Sequence, residues 1–222
     1  MNKDKIDYNW SKKFWENRIK QNSKTTSLNL GTTIQQHNIQ FNELMNVLDN
    51  QDKFILDLGC GVGRLTIPLS YTAYGITGVD FSESNIAYLK DKVKHNGIDN
   101  VELFCQSVYT PIKNRVKAYD TILIFGVLLH LNNNEIKTLL AVARDYLTDN
   151  GKVIVRESVG VKKPLYINKF CKELDSHYMA YYRTPQDIET KFELGGFIAP
   201  ISKELYQQRK ETGTYMWMFK KW

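Results

Sequence analysis

Asp57, Gly59, Gly61 and Gly63, with Asp80 standing 21 positions beyond the first glycine, are the residues whose types and spacing point most directly to chemistry. Glycines at alternate positions allow backbone angles closed to other residues, and without a Cβ they let a ligand lie directly on the peptide plane. The ligand does not read as a pyrophosphate. The dinucleotide fingerprint would place a glycine where Arg64 stands, and a phosphate-cradling loop would close with a Lys-Ser/Thr pair that is absent. A carboxylate at Asp57, just ahead of the first glycine, would repel phosphate and attract an ammonium or sulfonium group. Asp80 has the spacing that, in a βαβ unit, sets a carboxylate over ribose hydroxyls. An adenosine carrying a positive charge satisfies both acids.

The elements that must hold these residues are legible as alternating strands and helices. The apolar run Phe54 to Leu58 enters the glycine turn, and the amphipathic stretch Arg64 to Ser70 leaves it as a helix. Tyr74 to Val79 reads as the second strand. Ser82 caps a helix running to Lys94 that Asn96-Gly97 ends, and Val101 to Cys105 is the third strand. Tyr119 to Leu131 holds the fourth strand and its turn. A helix from Asn134 to Leu147 leads to the fifth strand, Val153 to Val155. Thr184-Pro185-Gln186-Asp187 opens a last helix, stopped at Gly195-Gly196, before two strands over Phe197 to Tyr206 and Thr214 to Phe219. Such alternation makes a parallel sheet with its ligand at the carboxyl ends of the strands, so Phe125, Gly126, His130, Arg156, Glu157 and Ser158 gather at one edge. Ahead of this domain, Trp10, Phe14, Trp15 and Ile19 give an N-terminal arm an apolar stripe at helical spacing. Residues 21–40 read as a loop or cover, followed by a helix from Phe41 to Leu48. The expected division is an arm over 1–40 covering the site and one domain over 41–222.

At 222 residues and 42% hydrophobic content the chain suits one α/β domain with a full core. No apolar stretch approaches the roughly 20 residues that cross a bilayer. The first 24 residues are polar and charged rather than signal-like, so the expected location is cytoplasmic. Cys60, Cys105 and Cys171 are odd in number and far apart, and His37, His95, His130 and His177 show no metal-ligand spacing. No disulfide framework and no metal are expected. Of the net charge of +6, much sits in the arm, where seven basic residues face three acidic ones before position 25. Such an arm either steers an anionic substrate or is a solvated helix.

The stretch Asp57-Leu58-Gly59-Cys60-Gly61-Val62-Gly63 followed by Asp80 resembles the class I S-adenosylmethionine-dependent methyltransferases. The resemblance covers about Phe41 to Trp222. It implies a Rossmann-like α/β fold: a seven-stranded, mostly parallel sheet with helices on both faces and a C-terminal antiparallel strand pair. It also implies S-adenosyl-L-methionine as cofactor, held by Asp57, Gly59, Cys60, Gly61, Gly63, Asp80, Phe81, Ser107, Val108 and Phe125. Ser107 stands where relatives commonly carry an Asp that accepts from adenine. His130 matches a histidine common after the fourth strand, read either as a structural group or as a general base. Glu157 reads either as a group orienting the acceptor or as a partner of Arg156.

The family's N-terminal helix commonly walls off the acceptor, which points to Trp15. The insertion at about 160–183 is a usual place for acceptor recognition and carries Tyr178, Tyr181, Tyr182 and Arg183 among lysines. A packed helical lid with snorkelling lysines is the other reading of that insertion, and the two are compatible. The motif of enzymes that methylate amide or base nitrogens, and the Pro-Cys nucleophile of cytosine C5 enzymes, are absent. The resulting expectation is methyl transfer to an oxygen or nitrogen of a small metabolite. Methylation of a protein or peptide N-terminal amine, which Gly126-Val127-Leu128-Leu129-His130-Leu131 and the Trp-bearing arm resemble, is the alternative. RNA methylation lacks a dense basic stripe. A non-catalytic binding module would conflict with the intact acids and glycines.

Overall fold

The computed structural model describes residues 6, 8–21, 33–49, 52–115, 118–172 and 176–222, with the side chains of residues 8 and 19–21 left aside. Among the described residues, the strands and helices follow one another as α1 (Tyr8–Gln21), α2 (Ile34–Val47), β1 (Phe54–Leu58), α3 (Thr66–Ser70), β2 (Gly75–Asp80), α4 (Glu83–His95), β3 (Val101–Cys105), β4 (Tyr119–Phe125), α5 (Asn133–Tyr146), β5 (Leu147–Gly160), β6 (Leu165–Cys171), β7 (Ser176–Tyr182), α6 (Pro185–Leu194), β8 (Phe197–Arg209) and β9 (Thr212–Lys221). Seven strands form one sheet in the order β3-β2-β1-β4-β5-β9-β8. The first five run parallel and β9 runs antiparallel to both neighbours, so the expected sheet and its C-terminal pair are present.

The strands alternate faces with period two, and this sorts both core and site. Ile55, Leu123 and Ile154 pack with Leu44 of α2 and Leu69 of α3 on one face. Leu56, Leu58, Ile122, Ile124, Val153 and Val155 pack with Leu139 of α5 and Phe192 of α6 on the other. The same alternation places Asp57 on the α3 side. Along β5 it puts Arg156 and Ser158 on the face of Ile154, and Glu157 on the face of Val155.

Three expectations need correction. Helix α2 starts at Ile34 rather than Phe41, because Thr33 and Gln36 form a reciprocal capping box. Its first turn is solvent-facing, with Ile34 69% exposed, so hydrophobic periodicity gave no sign of it. The strand expected at Val153 to Val155 is fourteen residues long. The insertion is a two-stranded antiparallel hairpin, β6 with β7, rather than a helical lid. Its Tyr, Ile and Phe content suits a pleated surface better than a helix. Most of the expected loop after Gln21 lies outside the described residues. Among the described residues, no helix is long and apolar enough to cross a membrane, and no cluster of His, Cys, Asp or Glu could hold a metal.

Candidate active site

A cavity of about 1200 Å³ opens at the carboxyl ends of the strands. Its floor is the glycine loop. Gly59 and Cys60 amides donate to the Val79 carbonyl at 2.7 and 3.1 Å, which ties the loop to β2. Asp80 receives the Gly61 amide at 3.0 Å on Oδ2, and on Oδ1 the Ser82 amide at 2.9 Å and Asn85 Nδ2 at 3.4 Å. A carboxylate offers about four lone-pair sites, so capacity remains for a ligand's hydroxyls. Burial raises the Asp80 carboxyl above its ordinary range, and these donors work against that rise.

The three loop glycines have positive φ but different duties. A Cβ on Gly59 would meet Val127 Cγ2 at 2.4 Å, and one on Gly63 would meet Leu89 Cδ1 at 2.2 Å. One on Gly61 would find nothing nearer than the Gly59 carbonyl oxygen at 4.0 Å. Gly61 alone of the three therefore opens onto space a ligand can fill, and Gly63 serves helix packing.

Asp57 is 2% exposed and accepts from Thr66 Oγ1 at 2.7 Å. Burial is the main cause that pushes its carboxyl up to about 6. A bound cation would draw it back to the charged form. Cys60, Phe81, Ser107, Val108 and Phe125 also line the cavity.

The opposite wall is aromatic. His130 ends the 3-10 turn Leu128–His130 and sits between Trp15 and Tyr178, with ring centroids 5.5 and 6.1 Å away, both edge-on. His130 donates to the Met179 carbonyl, while its Nδ1 is buried without a partner. Burial holds the imidazole down to about 3, so it is neutral and presents a lone pair. Tyr178 and Tyr182 line the cavity and are hydrogen-bonded to each other.

Four sequence-derived candidates stand off the cavity. Gly63 does, as above. Glu157 is 1% exposed on the other face of β5, its Oε2 accepting the Leu129 amide at 3.2 Å and its Oε1 the Ser158 amide at 3.1 Å. Burial pushes its carboxyl up to about 7. It therefore anchors the turn that carries His130. Arg183 donates to the Leu128 and Leu131 carbonyls at 2.6 and 2.7 Å from inside the core, and Tyr181 stacks on its guanidinium at 4.9 Å. Both support the same turn from behind.

Arg64, His37 and Gln40, to which the sequence reading gave no binding role, face the cavity, as does Arg156, which it set at this edge only as a possible partner of Glu157. Arg64 follows the last loop glycine, and its Nη1 is buried without a partner. Burial first, and Arg156 second, lower its guanidinium to about 10. Arg156 is 9% exposed and also lines the cavity, as do His37 and Gln40 of α2. The signal for Arg64 was its place directly after the glycine loop. For Arg156 it was the strand alternation that separates it from Glu157.

Residues 55–151 match a family model described as a methyltransferase domain. The strand order and the glycine loop with its two acids agree with this match, and the fold is the one the motif implied. Phosphoethanolamine N-methyltransferase 1 of Triticum aestivum is 28% identical over 107 residues, 48% of this chain and 21% of that protein. Ubiquinone biosynthesis O-methyltransferase of Rickettsia akari (strain Hartford) is 26% identical over 161 residues, 72% of this chain and 59% of that one. The chain thus spans less than two thirds of either relative. Among solved structures, a SAM-dependent methyltransferase of Leishmania major superposes with a TM-score of 0.77 at 18% identity, covering 96% of this chain and 82% of that one. A DhpI–SAH complex superposes with a TM-score of 0.71 at 17% identity, covering 94% of each chain.

Proposed function

We propose that this chain binds S-adenosyl-L-methionine and catalyses transfer of its methyl group to an oxygen or nitrogen of a small metabolite. The observation that carries this reading is the open cradle at Gly61, set between the Asp80 carboxylate and the orphaned Nη1 of Arg64. It is suited to a ligand with neighbouring hydroxyls at one end and a carboxylate at the other. Asp57 supplies the charge for the ligand's cationic group. When bound, the cofactor supplies an electrophilic methyl whose C–S electron pair goes to sulfur as the acceptor's lone pair forms the new bond. The chain's own work is alignment and exclusion of water. Trp15, His130 and Tyr178 form the wall against which the acceptor lies, and His130 Nδ1 accepts the hydrogen bond of its O–H or N–H, whose proton passes on to solvent as the methylated product leaves.

A second reading, methylation of a peptide amine, is favoured by β6. This strand pairs only with β7 among the described residues, and it lines the cavity. A free strand edge is a docking line for an extended peptide.

Calorimetric titration with S-adenosylmethionine and S-adenosylhomocysteine tests the cofactor reading. Saturable one-site binding to either supports it, and silence from both sinks it. Labelled methyl transfer to small hydroxy acids, amines and N-terminal peptides then separates the two acceptor readings.

A further inference from the structure

Resting on the methyl-transfer reading, we infer that the acceptor carries an oxyanion, a carboxylate or a phosphate, and that Arg156 receives it. Arg156 stands on β5 opposite Phe125, the last residue of β4, on the cavity face with Ser158. Its Nε is buried without a partner, and its Nη2 makes a long contact of 3.4 Å to the Tyr206 hydroxyl. Among the described residues no carboxylate forms an ion pair with it. The adjacent Glu157 lies on the opposite face with its oxygens committed to backbone amides. Glu157 and Arg156 attract each other through the strand from opposite faces, and within the cavity Arg156 faces the like charge of Arg64.

Two buried guanidinium groups sharing one cavity are costly unless anions answer them, because buried charges are tolerated only when paired. The cofactor brings one carboxylate. Arg64, directly after the glycine loop, is placed to take it, and Arg156 is left over.

The sheet order assigns the remainder. From Asp80 on β2 to Arg156 on β5 the path crosses β1 and β4, which is three strand spacings, or roughly 14 Å. The ribose end of the cofactor therefore lies on one side of the sheet and Arg156 on the other, next to the aromatic wall. The rim on that side adds Lys169 and Lys172 from the hairpin and Lys210 from the β8–β9 turn, with Glu211 as its acid. A cleft lined largely by one sign of charge concentrates ligands of the opposite sign. The aromatic wall suits a planar body behind the oxyanion.

The test uses the whole chain saturated with S-adenosylhomocysteine. Failure of that first titration would end the methyl-transfer reading and is recorded before any acceptor probe is added. Benzoate, inorganic phosphate and the neutral benzamide are then titrated by calorimetry into the loaded protein. Saturable binding of benzoate or phosphate, with none for benzamide, is the expected result. Benzoate alone indicates a carboxylic acid acceptor and phosphate alone a phosphate ester. Arg156→Met should weaken the anion by at least about tenfold while S-adenosylhomocysteine affinity holds within about twofold. Arg156→Lys, the milder variant, should retain part of the anion affinity. Three outcomes overturn the inference: neither anion binds the loaded protein, both bind Arg156→Met as they bind the parent, or Arg156→Met loses S-adenosylhomocysteine instead, which would give this arginine to the cofactor.

Discussion

On the β1–β3 side of the cavity the binding groups come from one contiguous stretch: the loop amides, Asp57, Arg64 and an Asp80 that those amides hold in place. On the β5 side they are side chains delivered by α1, the 3-10 turn, β5 and the β6–β7 hairpin, segments far apart in the chain. The first side is set by a stretch of under thirty residues, from Asp57 to Asn85, with each contact made locally. The second exists only when distant segments meet. A site divided this way can keep its donor chemistry constant while its acceptor wall varies. The division can be broken from either side.

The largest effect belongs to a pair of glycine substitutions. Gly61→Ala puts a methyl into open space, so the fold should tolerate it apart from about 1 kcal/mol of left-handed strain, while S-adenosylhomocysteine affinity falls by about a hundredfold or more. Gly63→Ala drives its methyl against Leu89 and should cost about 2–4 kcal/mol of stability, read as a lowered Tm. Normal cofactor affinity in Gly61→Ala would remove the cradle from the binding site.

Next come His130 and its support. Glu157→Ala orphans two buried amides at a cost of about 1–3 kcal/mol each. It should lower turnover about as far as His130→Ala while cofactor affinity stays near that of the parent. Burial holds His130 near 3, so the imidazole is neutral throughout the working range and turnover should show no acidic limb near 6.5. A limb at 6 to 7 that disappears in His130→Gln would show instead that this histidine takes up and releases a proton during turnover.

A smaller effect follows from Asp57, whose carboxyl sits at about 6 before a cation arrives. Cation binding favours the charged form, so affinity for S-adenosylmethionine should be full above pH 6. It should fall as pH drops below 6, by up to about tenfold per pH unit, until the lower bound-state pKa is reached. Asp57→Asn should flatten this dependence. Calorimetry between pH 5 and 8 checks both.

The same division explains what could be read from sequence. Asp57, the glycines and Asp80 act through local spacing, so their place was legible, and the strand alternation gave the sheet. That Gly61 faces ligand while Gly63 faces Leu89 was not legible, because equal spacing hides which side of the loop each presents. Arg156 and Glu157 are neighbours in sequence, and only the pairing of β5 with β4 and β9 decides which faces the cavity. Lysines spaced along 160–183 read equally well as a helix surface. The strand pairing that makes a hairpin of them is set by residues such as Tyr166 and Tyr181 meeting across β6 and β7. Trp15 was legible as part of an apolar stripe, and its contact with His130 spans more than a hundred residues of chain.

The smallest predicted effect tests whether the two sides are joined through α1. Glu16 accepts the amides of Glu83 and Ser84 at 2.5 and 3.2 Å, so a residue of α1 caps α4, the helix that follows Asp80. Burial alone would raise its carboxyl, but the hydrogen bonds from Ser84, Glu83 and Ser82 outweigh burial and hold it below its ordinary value. Being depressed, this acid stabilises the contact above the unfolded value near 4.5 and loses that contribution as pH falls through the folded value. Glu16 is only part-buried, so solvent screens the contact and the energy involved is small. Glu16→Gln keeps an acceptor oxygen but loses the charge at the positive helix end, and should raise KM for the acceptor by a few-fold with kcat nearly constant. The acceptor is singled out because α1 also carries Trp15, whose ring faces His130 one helical position before Glu16. An equal rise in the cofactor's Kd would mean that α1 clasps the donor side as firmly as the acceptor side, and the two halves of the cavity would then move as one.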